Sequence, residues 1–310
     1  MRVFVSGAAG FIGSHVCEIL LQDGAEVIGF DDFSSGNTRI DGITMITGDI
    51  RNFDDVISAM ADCTHIVHLA ALASVPASVA TPSLSEAINL QGTLNVIEAA
   101  KQIGVKRIVF SSTAAIYGDS TDSPVTELTT ANCQSPYAED KLAAEIAVLH
   151  SGIEAISLRY FNVHGPRQDP NGAYAAVIPA FIQKMMNHQP PTIFGNGEAT
   201  RDFVGVADVA ALNLAALTTD NSEALGEVFN VASGSTMSVL ELFNTLRTLL
   251  GEKDQSILTI EPAFSPPREG DVLHSSASIE KARKLLGFNP EANPHRALSA
   301  TVEAYWDRCD

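Results

Sequence analysis

Tyr137 and Lys141 stand four residues apart in Pro136-Tyr137-Ala138-Glu139-Asp140-Lys141. On a helix that spacing puts both side chains on one face, one turn apart. A free tyrosine keeps its proton up to a pH of about 10, so as a base near neutrality it needs help. An ammonium one turn away favours the phenolate, and so does a positive ring bound beside it. Such a phenolate can take the proton of a hydroxyl group on a small substrate. Taken alone, the pair reads more readily as a tyrosine packed at a helix start with a solvated lysine. Its weight depends on what else reaches the same place. Ser111-Ser112-Thr113 closes an apolar run 24 residues before Tyr137. At the C-terminal end of a parallel strand, the Thr113 hydroxyl would enter the crevice where such sheets bind ligands.

A second motif aims at that crevice. The first apolar run, 2–6, enters Gly7-Ala8-Ala9-Gly10-Phe11-Ile12-Gly13, and a helical pattern follows. Glycines permit a tight turn and close approach of backbone to a pyrophosphate, and the helix start supplies N–H groups and a positive dipole end. The second run ends in Phe30-Asp31-Asp32, with Asp31 18 residues after Gly13. A carboxylate there accepts hydrogen bonds from adenosine ribose hydroxyls and repels a 2′-phosphate. No arginine follows at once, so the reading is NAD and not NADP. Asp49, after the third run, is a candidate for the adenine edge.

These residues need a scaffold. Apolar runs at 2–6, 25–30, 44–47, 65–69, 107–111 and 155–159 carry little period-two polarity, as in strands buried on both faces. Helical patterns at 12–22, 83–102 and 138–150 alternate with them. The expected fold is α/β: a Rossmann, doubly wound parallel sheet over 1–165. Beyond 165, Pro and Gly become frequent. The expectation is a smaller substrate-binding region over 166–310, rich in loops and closing in a helix at 294–308. Strand-like segments near 202–231 suggest that it partly interleaves with the sheet.

Composition narrows the partners. Of 310 residues, 45% are apolar, and 19 Lys and Arg face 37 Asp and Glu, a net charge of −18. So acidic a surface argues against nucleic acid or an anionic membrane. An anionic ligand must be held by a few placed cations. No apolar stretch approaches the ~20 residues of a membrane span. Four scattered cysteines and no Cys-x-x-Cys or His-rich cluster suggest free thiols, no metal site and a cytoplasmic protein.

Taken together, the chain resembles the extended short-chain dehydrogenases, within them the NAD-dependent sugar-nucleotide epimerases and dehydratases. The resemblance spans the chain: Gly7–Gly13, Asp31, Asp49-Ile50, His68-Leu69-Ala70-Ala71, Asn89, Ser111–Thr113, Tyr137/Lys141, Arg159-Tyr160-Phe161-Asn162, Arg201-Asp202-Phe203 and Arg268-Glu269-Gly270-Asp271. It implies that Tyr137, Lys141 and Thr113 are catalytic. It implies cofactor contacts from Gly7, Gly10, Phe11, Ile12, Gly13, Asp31, Asp32, Asp49, Ile50, Leu69, Ala70, Ala71, Asn89 and Ser111, with Tyr160 near the nicotinamide. Asn162, Ala176 and Val177 would hold the nucleotide diphosphate and Phe194 would border the uracil. Arg201 and Arg268 would clamp the pyrophosphate, and Asp271 would bind the ribose. Members commonly form homodimers, here expected through 83–102 and 138–150.

The reaction narrows at Ala114-Ala115. Dehydratases of this family carry Asp-Glu there, and glucuronate decarboxylases a Glu at the second position. Alanine moves no proton, so elimination and decarboxylation each lose a group. Thr113, Tyr137 and NAD suffice to oxidise C4 of a UDP-sugar and reduce it again after the 4-keto sugar turns over. Ser275, seven beyond Arg268, is small where a bulky residue would exclude an N-acetyl group. The stretch 167–174 looks most like UDP-N-acetylglucosamine 4-epimerases. The expected substrates are UDP-GlcNAc/UDP-GalNAc, with UDP-Glc/UDP-Gal as well. Gly205, Ala207 and Ala77 depart from the family pattern. A UDP-glucuronate 4-epimerase, another sugar-nucleotide reductase and a non-catalytic NAD-binding protein are the alternatives.

Overall fold

The structure is a computed structural model that describes residues 1–170, 176–267, 273–291 and 293–307. Seven parallel strands form its central sheet: β1 (Arg2–Ser6), β2 (Glu26–Asp31), β3 (Thr44–Thr47), β4 (His65–His68), β5 (Arg107–Thr113), β6 (Glu154–Tyr160) and β7 (Glu227–Val231). Their spatial order is β7–β6–β5–β4–β1–β2–β3. The chain winds outward from β1 in one direction and then restarts beside β1 with β4. Ligands of such sheets bind at the strand C-terminal ends where the order reverses. Here that point lies between Ser6 and His68, partners in the β1–β4 register.

Two apolar layers cover the sheet. One face packs Val3, Val5, Ile156 and Leu158 with the helices Phe11–Gln22 and Val206–Thr218. The other packs Phe4, Ile66, Ile108 and Phe110 with Gly92–Ile103 and Pro136–Leu149. Strands covered on both faces read as continuous apolar runs, which is why their positions show in the sequence.

The rest departs further from expectation. The segment 83–102 is two helices, Pro82–Glu86 and Gly92–Ile103, joined by a π turn over Ala87–Gln91. Asn89 sits in that turn with its side-chain amide hydrogen-bonded to Leu72 and Ser85. The strand expected near 202 breaks at Asp202, leaving Thr200–Arg201 and Phe203–Gly205. The Asp202 carboxylate there accepts hydrogen bonds from Ser233 N, Ser233 Oγ and Gly234 N. Loops alone do not describe the region after 165. Val177–Met186 and Val239–Gly251 are helices whose apolar stripes, Ile178, Phe181, Ile182 and Met185 against Leu242, Phe243, Leu246 and Leu250, form a third core. Spacings of three and four residues underlie both stripes.

Candidate active site

At the switch point the glycine turn presses on the loop after β4. Gly7 has φ +72°, and a Cβ on it would lie 2.7 Å from Ala70 N. A Cβ on Gly13 would lie 1.9 Å from Gly7 O, so no larger residue fits while the helix meets the turn. Gly10 precedes the helix Phe11–Gln22 without a side-chain cap, and its first turn holds no acidic residue. The dipole end and its N–H groups are therefore open to an anion. Asp31 ends β2 beside the turn, buried, with hydrogen bonds from Ala9 N (2.9 Å) and Phe33 N (2.8 Å). Burial pushes its carboxyl up, against those two donors. Two accepted bonds leave lone pairs for ribose hydroxyls. Pyrophosphate, ribose and the narrow turn thus each find a fitting group. Leu69, Ala70 and Ala71 form the half-buried wall after β4.

Other expected contacts stand further back. Asp32 is exposed, its carboxylate turned onto Ser34 N and Oγ. Asp49 is held by the Arg51 guanidinium, which keeps its carboxyl below the usual range. Ile50 is buried against Gly92. Asn89 accepts from Leu72 N at 2.8 Å and so holds the loop after β4 from behind. Tyr160 is 8% exposed with its hydroxyl on Asn213, in the helix Val206–Thr218. That position turns the phenol group into the core.

Tyr137 and Lys141 lie in the first two turns of Pro136–Leu149. Ser135 caps this helix, and Pro136 pre-sets its first turn. Burial pushes the Tyr137 phenol up, and a hydrogen bond with the Thr113 hydroxyl pulls it back. Thr113 Oγ1 accepts from Ala115 N at 3.2 Å, which leaves its own proton to donate to Tyr137. Ala114 and Ala115 form the turn after Thr113, and Ser111 is half-buried on the same strand. Lys141 is 2% exposed, with Nζ 4.2 Å from the centre of the Phe110 ring. Burial pulls its ammonium down to about 7, while Glu145 one turn later pulls it up. A lysine so placed stays close to the point of proton exchange near neutral pH.

The second half supplies a cleft of about 750 Å³ lined by Phe194, Asn196, Ala199, Phe264, Pro267 and Leu273. Phe194 is 37% and Leu273 65% exposed, so its rim is apolar. Arg201 Nη1 donates to Thr200 O (2.9 Å) and Leu273 O (3.3 Å) beside it. Ser275 N donates to Thr200 O, which holds the 273–275 segment against Arg201. Among the described residues, no side chain caps the helix Val177–Met186 at Ala176. Asn162 Nδ2 donates to Asp202 O (2.9 Å), tying the Arg159–Asn162 segment to the arginine segment. Arg268 and Asp271 lie outside the described residues, as do 171–174 of the stretch 167–174.

The contacts of several residues escaped the sequence. Ser78, Glu145, Asp202 and the Arg167–Glu18 pair all act through other groups. Arg167 donates to both Glu18 oxygens and ties the segment after Pro166 to the helix Phe11–Gln22. Ser78, Glu145, Asp202 and Glu18 are polar residues in or beside an apolar run, a signal that periodicity alone leaves unresolved. Among the described residues, no group of three or more His, Cys, Asp and Glu is placed to hold a metal, and Cys17, Cys63 and Cys133 are free. Cys309 lies outside the described residues. No helix there is long and apolar enough to cross a membrane.

A glycine turn opening onto a helix at the switch point of a seven-stranded parallel sheet, with an acid at the end of the second strand, defines a dinucleotide-binding α/β protein. The chain belongs to the NAD dependent epimerase/dehydratase family, whose model matches residues 3–232. It is 37% identical over 308 residues to a putative UDP-glucose 4-epimerase of Methanocaldococcus jannaschii, covering 97% of each chain. It is similar to the UDP-glucose 4-epimerase of Thermotoga maritima solved with UDP-glucose (TM-score 0.93, 35% identity, 100% of each chain). It is also similar to a UDP-N-acetylglucosamine 4-epimerase of Methanobrevibacter ruminantium M1 in complex with UDP-N-acetylmuramic acid. That TM-score is 0.90 at 35% identity, covering 99% of this chain and 98% of the other. NAD is the cofactor, and the glycine turn and Asp31 fit it.

Proposed function

We propose that the chain is a UDP-sugar 4-epimerase that interconverts UDP-GlcNAc and UDP-GalNAc, and UDP-Glc and UDP-Gal as well. The observation that carries this reading is the Thr113 hydroxyl acting on the Tyr137 phenol, with Lys141 one turn further along the same helix and alanines at 114 and 115. Tyr137 takes the proton of the sugar 4-hydroxyl, directly or through Thr113, and later returns it. NAD, when bound, supplies a reversible hydride acceptor. Lys141 favours the phenolate by its charge. Arg201, Asn162, Phe194 and the helix start at Ala176-Val177 hold the uridine diphosphate, so the sugar can turn while its anchor stays. A guanidinium suits a diphosphate in a chain of such negative charge.

The two solved relatives carry different sugars in their names, so the sugar pocket has to decide between them. Ser275 is small and half-buried beside Arg201, which leaves room for an N-acetyl group. Purified protein incubated with each of the four UDP-sugars, and with UDP-glucuronate, tests this. Conversion of both neutral pairs without net NADH loss is expected. Activity on the non-acetylated pair alone would refute the pocket argument, and stoichiometric NADH loss would make the chain a reductase.

The chain works as a homodimer in this reading. The helices packed around Pro136–Leu149 leave Val79, Leu84, Leu94 and Ile146 exposed, with Val79 at 60% and Ile146 at 50%. Sedimentation of the wild type against Ile146→Glu tests it: a dimer that becomes a monomer supports the interface, and a wild-type monomer rules it out.

A further inference from the structure

Glu145 follows Lys141 by one helical turn and is itself only 2% exposed. Phe110 on β5 pairs in register with Ser157 on β6, and Ser112 with Arg159. Residues paired in register share a face of the sheet. Lys141 lies over Phe110, and Glu145 lies over the next pair of side chains along that face. Glu145 accepts from Ser157 Oγ (3.0 Å), Arg159 Nε (3.1 Å) and Arg159 Nη2 (2.6 Å). Arg159 Nη1 in turn donates to Tyr117 Oη (2.9 Å), and Tyr117 donates to Asn230 Oδ1 on β7 (2.6 Å). Tyr117 ends the short turn that begins at Thr113. One buried chain of contacts therefore joins the helix of Tyr137 and Lys141 to the turn that carries Thr113. A buried ion pair is a weak source of net stability, so its position at this junction asks for another account.

We propose that Glu145 is a positioning residue for the chemistry of Tyr137: through Arg159 and Tyr117 it sets the tyrosine helix against the Thr113 turn, and it supplies the fixed negative charge behind Lys141. Its activity readout rests on the epimerase reading above. On its own helix Tyr137 stands one turn before Lys141 and Glu145 one turn after it, and the Lys141 charge acts on His68 from β4. Arg159 from β6 lies beyond Glu145. His68 is neutral near pH 7, because burial first and the Lys141 charge second pull it down to about 3. Among the described residues, Glu145 pulls the Lys141 ammonium up. Without that charge the ammonium gives up its proton at lower pH, and the Tyr137 phenolate loses its support at lower pH as well.

The test uses the NAD-loaded protein and two readouts. In Glu145→Gln, kcat should fall about tenfold with KM within about twofold, and the alkaline limb of kcat should move down by about one pH unit. The absorbance of phenolate formation, assigned to Tyr137 by subtracting Tyr137→Phe, should appear at higher pH than in the wild type. Glu145→Asp keeps the charge and should keep the limb in place. Glu145→Gln leaves a buried guanidinium unpaired and can unfold the chain. The double variant Glu145→Gln/Arg159→Met removes both charges and should show the same two shifts. A folded Gln or double variant with the wild-type limb and wild-type Tyr137 ionisation would overturn the proposal. If the wild type turns over no UDP-sugar, the epimerase reading fails while the Tyr137 ionisation still decides the role of Glu145.

Discussion

Ser78 Oγ accepts the backbone N–H of Tyr137 at 3.1 Å. Ser78 is fully buried and donates its own proton to Val75 O at 2.7 Å. The first turn of the tyrosine helix is thus capped twice: by Ser135 from its own chain start and by Ser78 from the neighbouring helix Val75–Ala80. An unpaired helix N–H is a group that packing alone does not orient. Ser78→Ala should cost about 1 kcal/mol in urea unfolding, the usual worth of one such bond. Because the lost bond sits on Tyr137 itself, kcat should fall several-fold while UDP affinity, read by calorimetry, stays unchanged. A loss of stability with full kcat would make Ser78 purely structural.

Tyr137→Phe removes the phenolic oxygen and leaves the ring. Proton transfer by a placed group is worth about 10² to 10⁴ in rate. Turnover of UDP-GlcNAc should fall by that factor, with the melting temperature and the NAD content of the purified protein unchanged. Near-normal rates would remove Tyr137 from the reaction.

The Gly7–Gly13 contact is a steric one. An added Cβ at Gly13 meets the Gly7 carbonyl, a backbone atom with no side-chain freedom to move aside. Gly13→Ala must push the helix start away from the turn. The variant should fold less stably and purify without NAD, as judged by absorbance after denaturation. Wild-type NAD content would show that the turn tolerates the shift.

How much of this was legible in the sequence follows from what each residue touches. The glycine turn and Asp31 act through backbone geometry, and β1, β2, β4, β5 and β6 through near-continuous burial, which spacing records directly. Tyr137 and Lys141 were visible as a helical pair, but Thr113 joins them only because β5 ends beside the helix start. Glu145 and Arg159 stand 14 residues apart and meet across a helix–strand connection. Nothing local marks either as a partner of the other. Asn89 and Tyr160 show the opposite case: both occur in motifs, yet their polar atoms are engaged in the structure by Leu72, Ser85 and Asn213. The third core was hidden because Pro and Gly dominate its flanks, while its two apolar stripes carry the ordinary helical period.

Lys141 gives a prediction on stability that is separate from rate. Its side chain is buried, and burial pulls its ammonium from 10.5 to about 7. Between those values the unfolded chain binds a proton that the folded chain lacks. Folding stability therefore rises with pH across that window. Below about 7 the lysine is charged in both states and the folded chain bears the full cost of burying it. Above 10.5 it is neutral in both states and the cost is gone. Lys141→Met fills the same space without a charge. In the NAD-free chain, the Met variant should resist urea better than the wild type near pH 7, and this advantage should vanish as the pH approaches 10.5. A constant advantage across the range would trace it to packing and not to the ammonium. A buried cation that weakens the fold is retained where a reaction needs its charge, so the same variant should be inactive at every pH.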